Sequence, residues 1–169
     1  MDDFMSRCLA SRKRLEAIGA FGEWMEEADA AWFKHAGYDC MIIRNLELFH
    51  LCGYVGVPSH HPYYGVSKLP MDGTPGGITY AEDHHEYSQS GELLWWMGFD
   101  CAHFGDLVPL FNVLIKSQNN ANGYGNIQEI RPPIYRNIEW VKGEVLAFAN
   151  HLEHIEMQTT WGRDRSCDD

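Results

Sequence analysis

The sequence predicts an α+β domain: a short antiparallel sheet of three to five strands packed against a long C-terminal helix and an N-terminal helix. Ile134, Ile138, Val141, Val145, Phe148, Leu152 and Ile155 step by four and three residues along one stripe, the period of an amphipathic helix. Short apolar runs ending at glycine or proline crowd the middle of the chain, with linkers too short for crossover helices, which favours antiparallel pairing. Near the N-terminus Phe21, Trp24, Ala28 and Trp32 recur at helical spacing.

In order, the pattern gives a helix over 16–33, with Gly37 as its stop after Lys34 and His35. Residues 38–43 change period and are apolar on both faces, a buried strand. Residues 51–57 repeat that character until Pro58 ends it. Residues 59–74, rich in Pro, Gly, Tyr and His, form an ordered loop whose aromatic content points to function. Residues 78–81 make a short strand after Gly76-Gly77. Residues 93–99 are the strongest strand signal, with Leu93, Trp95, Met97 and Phe99 on one face and Leu94 and Trp96 on the other. A strand apolar on both faces is central or covered. Residues 106–115 suit a short helix with Asp106 as its N-cap. Residues 117–126 read as an exposed loop, and 134–155 as the long helix. The whole forms one domain, with a core over about 16–157 and flexible ends.

Composition narrows the function classes. A formal charge of −11 argues against a general nucleic-acid binder, which needs many Lys and Arg contacts. The cluster Arg7, Arg12-Lys13-Arg14 reads as one face of a surface helix. Met1-Asp2-Asp3-Phe4 lacks the features of a signal peptide, and no apolar run is long enough to span a membrane. The five cysteines, Cys8, Cys40, Cys52, Cys101 and Cys167, include no CxxC, so a zinc ribbon or thioredoxin-like site is excluded. A reduced, cytoplasmic protein is the expectation.

Chemistry concentrates in two places. At the end of the strongest strand, Asp100, Cys101, His103 and Asp106 place two carboxylates, a thiol and an imidazole at the rim of an apolar run. His103 would be a general base or a metal ligand, with Asp100 as its orienter or fellow ligand. The alternative is that Asp100 ties a turn, His103 packs at the sheet edge and Cys101 is buried and inert. The second place is His60-His61-Pro62. Adjacent side chains diverge in extended backbone, and the proline restrains His61, so His61 is the better second ligand or acid. A divalent metal held by His61, Asp100 and His103 follows as a speculative cofactor. Gly76 and Gly77 would bring backbone amides to an anion, although a tight turn accounts for them equally. Tyr64 and Tyr80 would give a ligand planar surface and Glu82 a carboxylate. His84-His85-Glu86 invites adventitious metal binding.

Gly53-Tyr54-Val55-Gly56-Val57-Pro58, His61-Pro62, Gly76-Gly77-Ile78-Thr79-Tyr80 and Gly98-Phe99-Asp100-Cys101-Ala102-His103-Phe104-Gly105-Asp106 resemble a family of small uncharacterised proteins carried by phages and mobile elements. The resemblance covers roughly residues 37–109. It implies a phage or prophage setting inside a bacterial cytoplasm and brings no catalytic assignment. This chain has Thr74-Pro75 where the family carries a histidine before the glycine turn.

Three functions compete. The first is a hydrolase or other acid–base enzyme acting on a small polar or nucleotide-like molecule, using His103, Asp100 and His61. The second is a non-catalytic accessory protein that binds a small signalling molecule or a host protein, its acidic charge favouring a basic surface. The third is a protein whose polar cluster only braces turns. The stripe over 134–155 suits burial against the sheet or a second copy of the chain.

Overall fold

A computed structural model describes residues 2–67, 77–83, 91–112 and 132–164. The fold is α+β. Its elements are α1 (Asp2–Ala17), a 3-10 turn (Glu23–Met25), β1 (Ala30–His35), β2 (Tyr38–Arg44), β3 (Leu51–Val57), β4 (Tyr80–Asp83), β5 (Trp95–Asp100) and α2 (Ile138–Asp164). The strands form one antiparallel sheet in the order β1-β2-β3-β5-β4. Tyr80 of β4 lies opposite Gly98 of β5, and Asp83 opposite Trp95. The chain divides into two compact units. The first comprises Met1–Ala31, Ile42–Cys52 and Asp100–Val141; the second comprises Trp32–Met41, Gly53–Phe99 and Lys142–Asp169.

In the first unit α1 turns Cys8 and Leu15 inward, and Leu15, Ala20, Trp24, Phe49 and Leu110 pack as one buried cluster. The helix predicted over 16–33 is a correction. α1 ends at Ala17, where Gly19 takes a positive φ and Ala20 N–H bonds back to Leu15 O at 2.9 Å, a left-handed helix stop. Beyond it the carbonyls of Trp24, Met25 and Glu27 accept from Arg12 instead of from a helical turn. Phe21 is exposed while Trp24 is buried, so the periodic residues do not share a face. The chain then extends into β1.

Asp106 is not a helix cap either. It bridges Ile134 in parallel, and helical backbone begins only at residue 109. That bridge explains why α2 starts after Ile134. Asn137 caps the helix instead, its Oδ1 accepting Trp140 N–H at 3.0 Å.

In the second unit the β1–β2 hairpin turns through Ala36 and Gly37, both at positive φ, as a two-residue connection requires. Val145, Phe148 and Leu152 of α2 are buried, as the stripe predicts, and Ala149 is buried beside them. A Cβ on Gly53 would lie 2.6 Å from Val145 and 2.7 Å from Phe99, so β3 carries glycine where α2 comes close. A Cβ on Gly98 would lie 2.3 Å from the Tyr54 ring, which lies across this position to meet Tyr80 edge-on. Trp96, Met97 and Phe99 are buried, which matches the prediction of a β5 apolar on both faces. β4 runs two residues later than predicted, with Thr79 N–H bonded to Gly98 O at 2.9 Å. The loop predicted over 117–126 lies outside the described residues. Among the described residues no helix is long and apolar enough to cross a membrane.

Candidate functional site

The turn after β5 is held from several sides. Asp100 Oδ1 accepts Ala102 N–H at 2.9 Å, Asp106 Oδ2 accepts His103 N–H at 3.1 Å, and Asp106 N–H returns to His103 O at 3.0 Å. Gly105 supplies the positive φ that closes the turn. Ile134 N–H bonds to Gly105 O at 2.9 Å and Leu107 N–H to Ile134 O at 2.8 Å. Arg136 Nε donates to Asp106 Oδ1 at 2.8 Å, with its guanidinium 4.4 Å above the Trp140 ring. Both carboxylates thus tie backbone, as the bracing alternative requires.

His103 keeps a free side chain on this frame. Its Nδ1 lies 3.7 Å from Asp106 Oδ2 and 4.0 Å from Asp100 Oδ1, and the side chain is about one-third exposed. These separations exceed a hydrogen bond, but both carboxylates flank the ring nitrogen, and such contacts commonly tighten when substrate binds. Phe104, next along the turn, is fully exposed.

The same unit holds a second imidazole that the sequence did not single out. His50 is 4% exposed, and its Nδ1 has no hydrogen-bond partner. Burial lowers its pKa below the ordinary imidazole value; Asp100 and Asp106 oppose that shift, and Arg44 and His103 reinforce it. The only sequence signal was a histidine at the start of an apolar strand.

A charge cluster built on the buried Arg44 and Asp29 accompanies these residues in the first unit. The Arg44 side chain is wholly buried and donates to Asp29, Glu27, the Tyr135 hydroxyl, and the Phe49 and Ala28 carbonyls. Arg12 donates to both oxygens of Asp29 and to the carbonyls of Trp24, Met25 and Glu27. Both guanidiniums sit over the Phe49 ring, that of Arg44 at 4.9 Å and that of Arg12 at 5.5 Å. Burial opposes the charge on Arg44, yet Tyr135, Glu27 and Asp29 outweigh it and hold the group above its ordinary pKa. The cluster is saturated and leaves nothing for a ligand.

The remaining candidates belong to the second unit. His61 is buried; its Nδ1 accepts Tyr63 N–H at 3.0 Å, so the ring proton sits on Nε2, which donates to Leu152 O at 3.1 Å. Burial lowers its pKa, with the Leu152 carbonyl and Glu156 opposing. Both nitrogens are spent, which corrects the reading of His61 as ligand or acid: it pins the 58–64 loop to α2. His60 pairs with Glu156 at 2.9 Å, and the Tyr38 hydroxyl donates to the same carboxylate. Tyr64 leans on Trp95, ring centroids 6.2 Å apart, and Tyr80 meets Tyr54 at 5.4 Å. Glu82 is exposed on β4 opposite Trp96. Gly77 takes a positive φ suited to a turn; Gly76 and His84-His85-Glu86 lie outside the described residues.

Cys101 is buried and its pKa is raised, first by burial and then by Cys52 and the two nearby carboxylates, so it is no nucleophile at neutral pH. The four described cysteines form no disulfide with one another. Among the described residues no group of three or more His, Cys, Asp or Glu side chains is arranged to hold a metal ion. The set His61, Asp100 and His103 is therefore not a coordination site here, because His61 has no lone pair left. No protein-family model, curated protein or solved structure matches the chain.

Proposed function

We propose that the 100–106 turn is an acid–base site acting on a small polar or nucleotide-like molecule, by hydrolysis or a related proton transfer. His103 is the catalytic residue; Asp100 and Asp106 are positioning residues whose carboxylates both face its Nδ1. One observation carries the reading: the His103 Nδ1 lies within 4.0 Å of two carboxylates while its side chain stays open to solvent. Imidazole is the side chain best suited to general acid–base work, and a carboxylate facing one ring nitrogen can orient it once the contact tightens. Four cysteines that form no disulfide with one another suit a reducing cytoplasm.

Hydrolysis of p-nitrophenyl acetate and p-nitrophenyl phosphate provides the test. The native protein should turn over at least one of them, and His103→Ala should lower the rate by about 10²–10⁴ with unfolding unchanged. Equal rates in native and variant protein, or no turnover of either ester by the native protein, would overturn the reading.

The fully exposed Phe104 favours a second reading, in which the rigid turn presents an aromatic anchor to a partner protein. The charge of −11 suits a basic partner surface. Absence of turnover in the ester assay would shift the balance toward it.

A further inference from the structure

We propose that His50 is a ligand-binding residue of the candidate site, its Nδ1 accepting a hydrogen bond from the N–H or O–H head group of a small neutral or cationic molecule. The inference rests on the reading of the 100–106 turn as a site and deepens it by naming the class of molecule.

Buried polar atoms in native proteins almost always have a partner, and each exception asks for a cause. The contrast within this unit is sharp: the buried Arg44 guanidinium and the partly buried Arg12 guanidinium are saturated, whereas the buried His50 Nδ1 has no partner. The backbone places His50 beside the turn. Cys101 N–H bonds to Leu51 O at 3.1 Å and Leu110 N–H to Leu48 O at 3.2 Å, so the 48–51 segment is fastened to chain on both sides of residues 102–109. Phe49, immediately before His50, sits at φ 68°, a costly conformation for a side chain of that size. Two bonds hold it there, Phe49 N–H to Asn45 O and Asn45 N–H to His50 O, at 3.0 and 2.8 Å.

Local charge selects the ligand. Asp106 is balanced by Arg136, while Asp100, about one-third exposed, has among the described residues no cationic partner beyond the His103 ring 4.0 Å away. An anion would be repelled by that carboxylate, whereas a donor head group would not, and Asp100 acts electrostatically on the His50 ring. Burial keeps the imidazole neutral, so one ring nitrogen remains an acceptor.

The test follows the His50 ring by nitrogen NMR in the full chain, with ethanolamine as probe and acetate as the matched anion. Ethanolamine should move the Nδ1 resonance saturably and acetate should not. His50→Phe should weaken ethanolamine binding about tenfold or more, the loss of a single well-placed hydrogen bond. His50→Asn puts an amide oxygen near the position of Nδ1 and should restore most of the affinity. An unmoved resonance, an equal response to acetate, or a long-lived internal water that stays on Nδ1 in saturating ethanolamine would each overturn the proposal. The acid–base reading fails on ester turnover by native and His103→Ala protein, and this one on the His50 resonance, so the two failures are distinguishable.

Discussion

Around Arg44 and around His103 the first unit gathers the same kinds of charged side chain, and the two clusters treat them oppositely. Every N–H of both Arg44 and Arg12 meets an acceptor, the longest contact being 3.4 Å, and two carboxylates balance the two cations. Around His103 the carboxylates spend themselves on backbone and on Arg136, the imidazole is left at 3.7–4.0 Å, and the nearby His50 nitrogen is unmet. A closed cluster ties separate segments together and gains nothing from an outside molecule. An open one is completed only from outside, which is why the chemistry is assigned to His103 although Arg44 is more deeply buried.

Breaking the closed cluster should produce the largest effect. Arg44→Met removes the cation and leaves Glu27 and Asp29 buried with less compensation, at a cost of about 3–5 kcal/mol. Urea unfolding should show this as a lower midpoint at constant slope. A loss below about 1 kcal/mol would mean that water reaches the carboxylates, and the cluster would not be closed.

The open cluster should yield less to the same treatment. Asp106→Ala removes the bonds to His103 N–H and Arg136 and should cost about 1.5–3 kcal/mol, the range for hydrogen bonds to a charged group. His103 should also lose the carboxylate 3.7 Å from its Nδ1, seen as a shift of its ring resonances. A cost matching that of Arg44→Met would make the turn part of the same brace and remove the contrast.

What could be read in advance follows the range of the interactions. β2, β3, β5 and the stripe of α2 declared themselves because apolar runs and helical spacing are local properties. Asp100, His103 and Asp106 were visible for the same reason, being three residues apart. The 16–33 segment misled because its carbonyls are taken by Arg12, a side chain on another element, and no periodicity records that. The partners of Arg44 lie 15 and 17 residues upstream, and Tyr135 lies 91 residues on, at separations that follow no rule. His61 looked like a ligand because the Leu152 carbonyl it serves is also 91 residues away. The unmet nitrogen of His50 can be recognised only once burial is known.

The gentlest probe of the comparison is pH. Burial lowers both His50 and His61 below the ordinary value of about 6.5, so the unfolded chain takes up these protons first. Their contribution to stability is present above about pH 6.5 and is lost as pH falls through the folded-state values, by up to about 1.4 kcal/mol per pH unit for each proton. His50→Asn should flatten one share of that slope and His61→Asn the other. The two shares should respond differently to ethanolamine. A ligand on His50 that requires the neutral ring should deepen the acid sensitivity of the native protein and leave that of His50→Phe unchanged. The His61 share should stay fixed, because both its nitrogens already hold partners within the chain. Ethanolamine altering both shares alike would mean that the buried imidazoles are equivalent, and the distinction between an open and a closed polar cluster would fail at its most sensitive point.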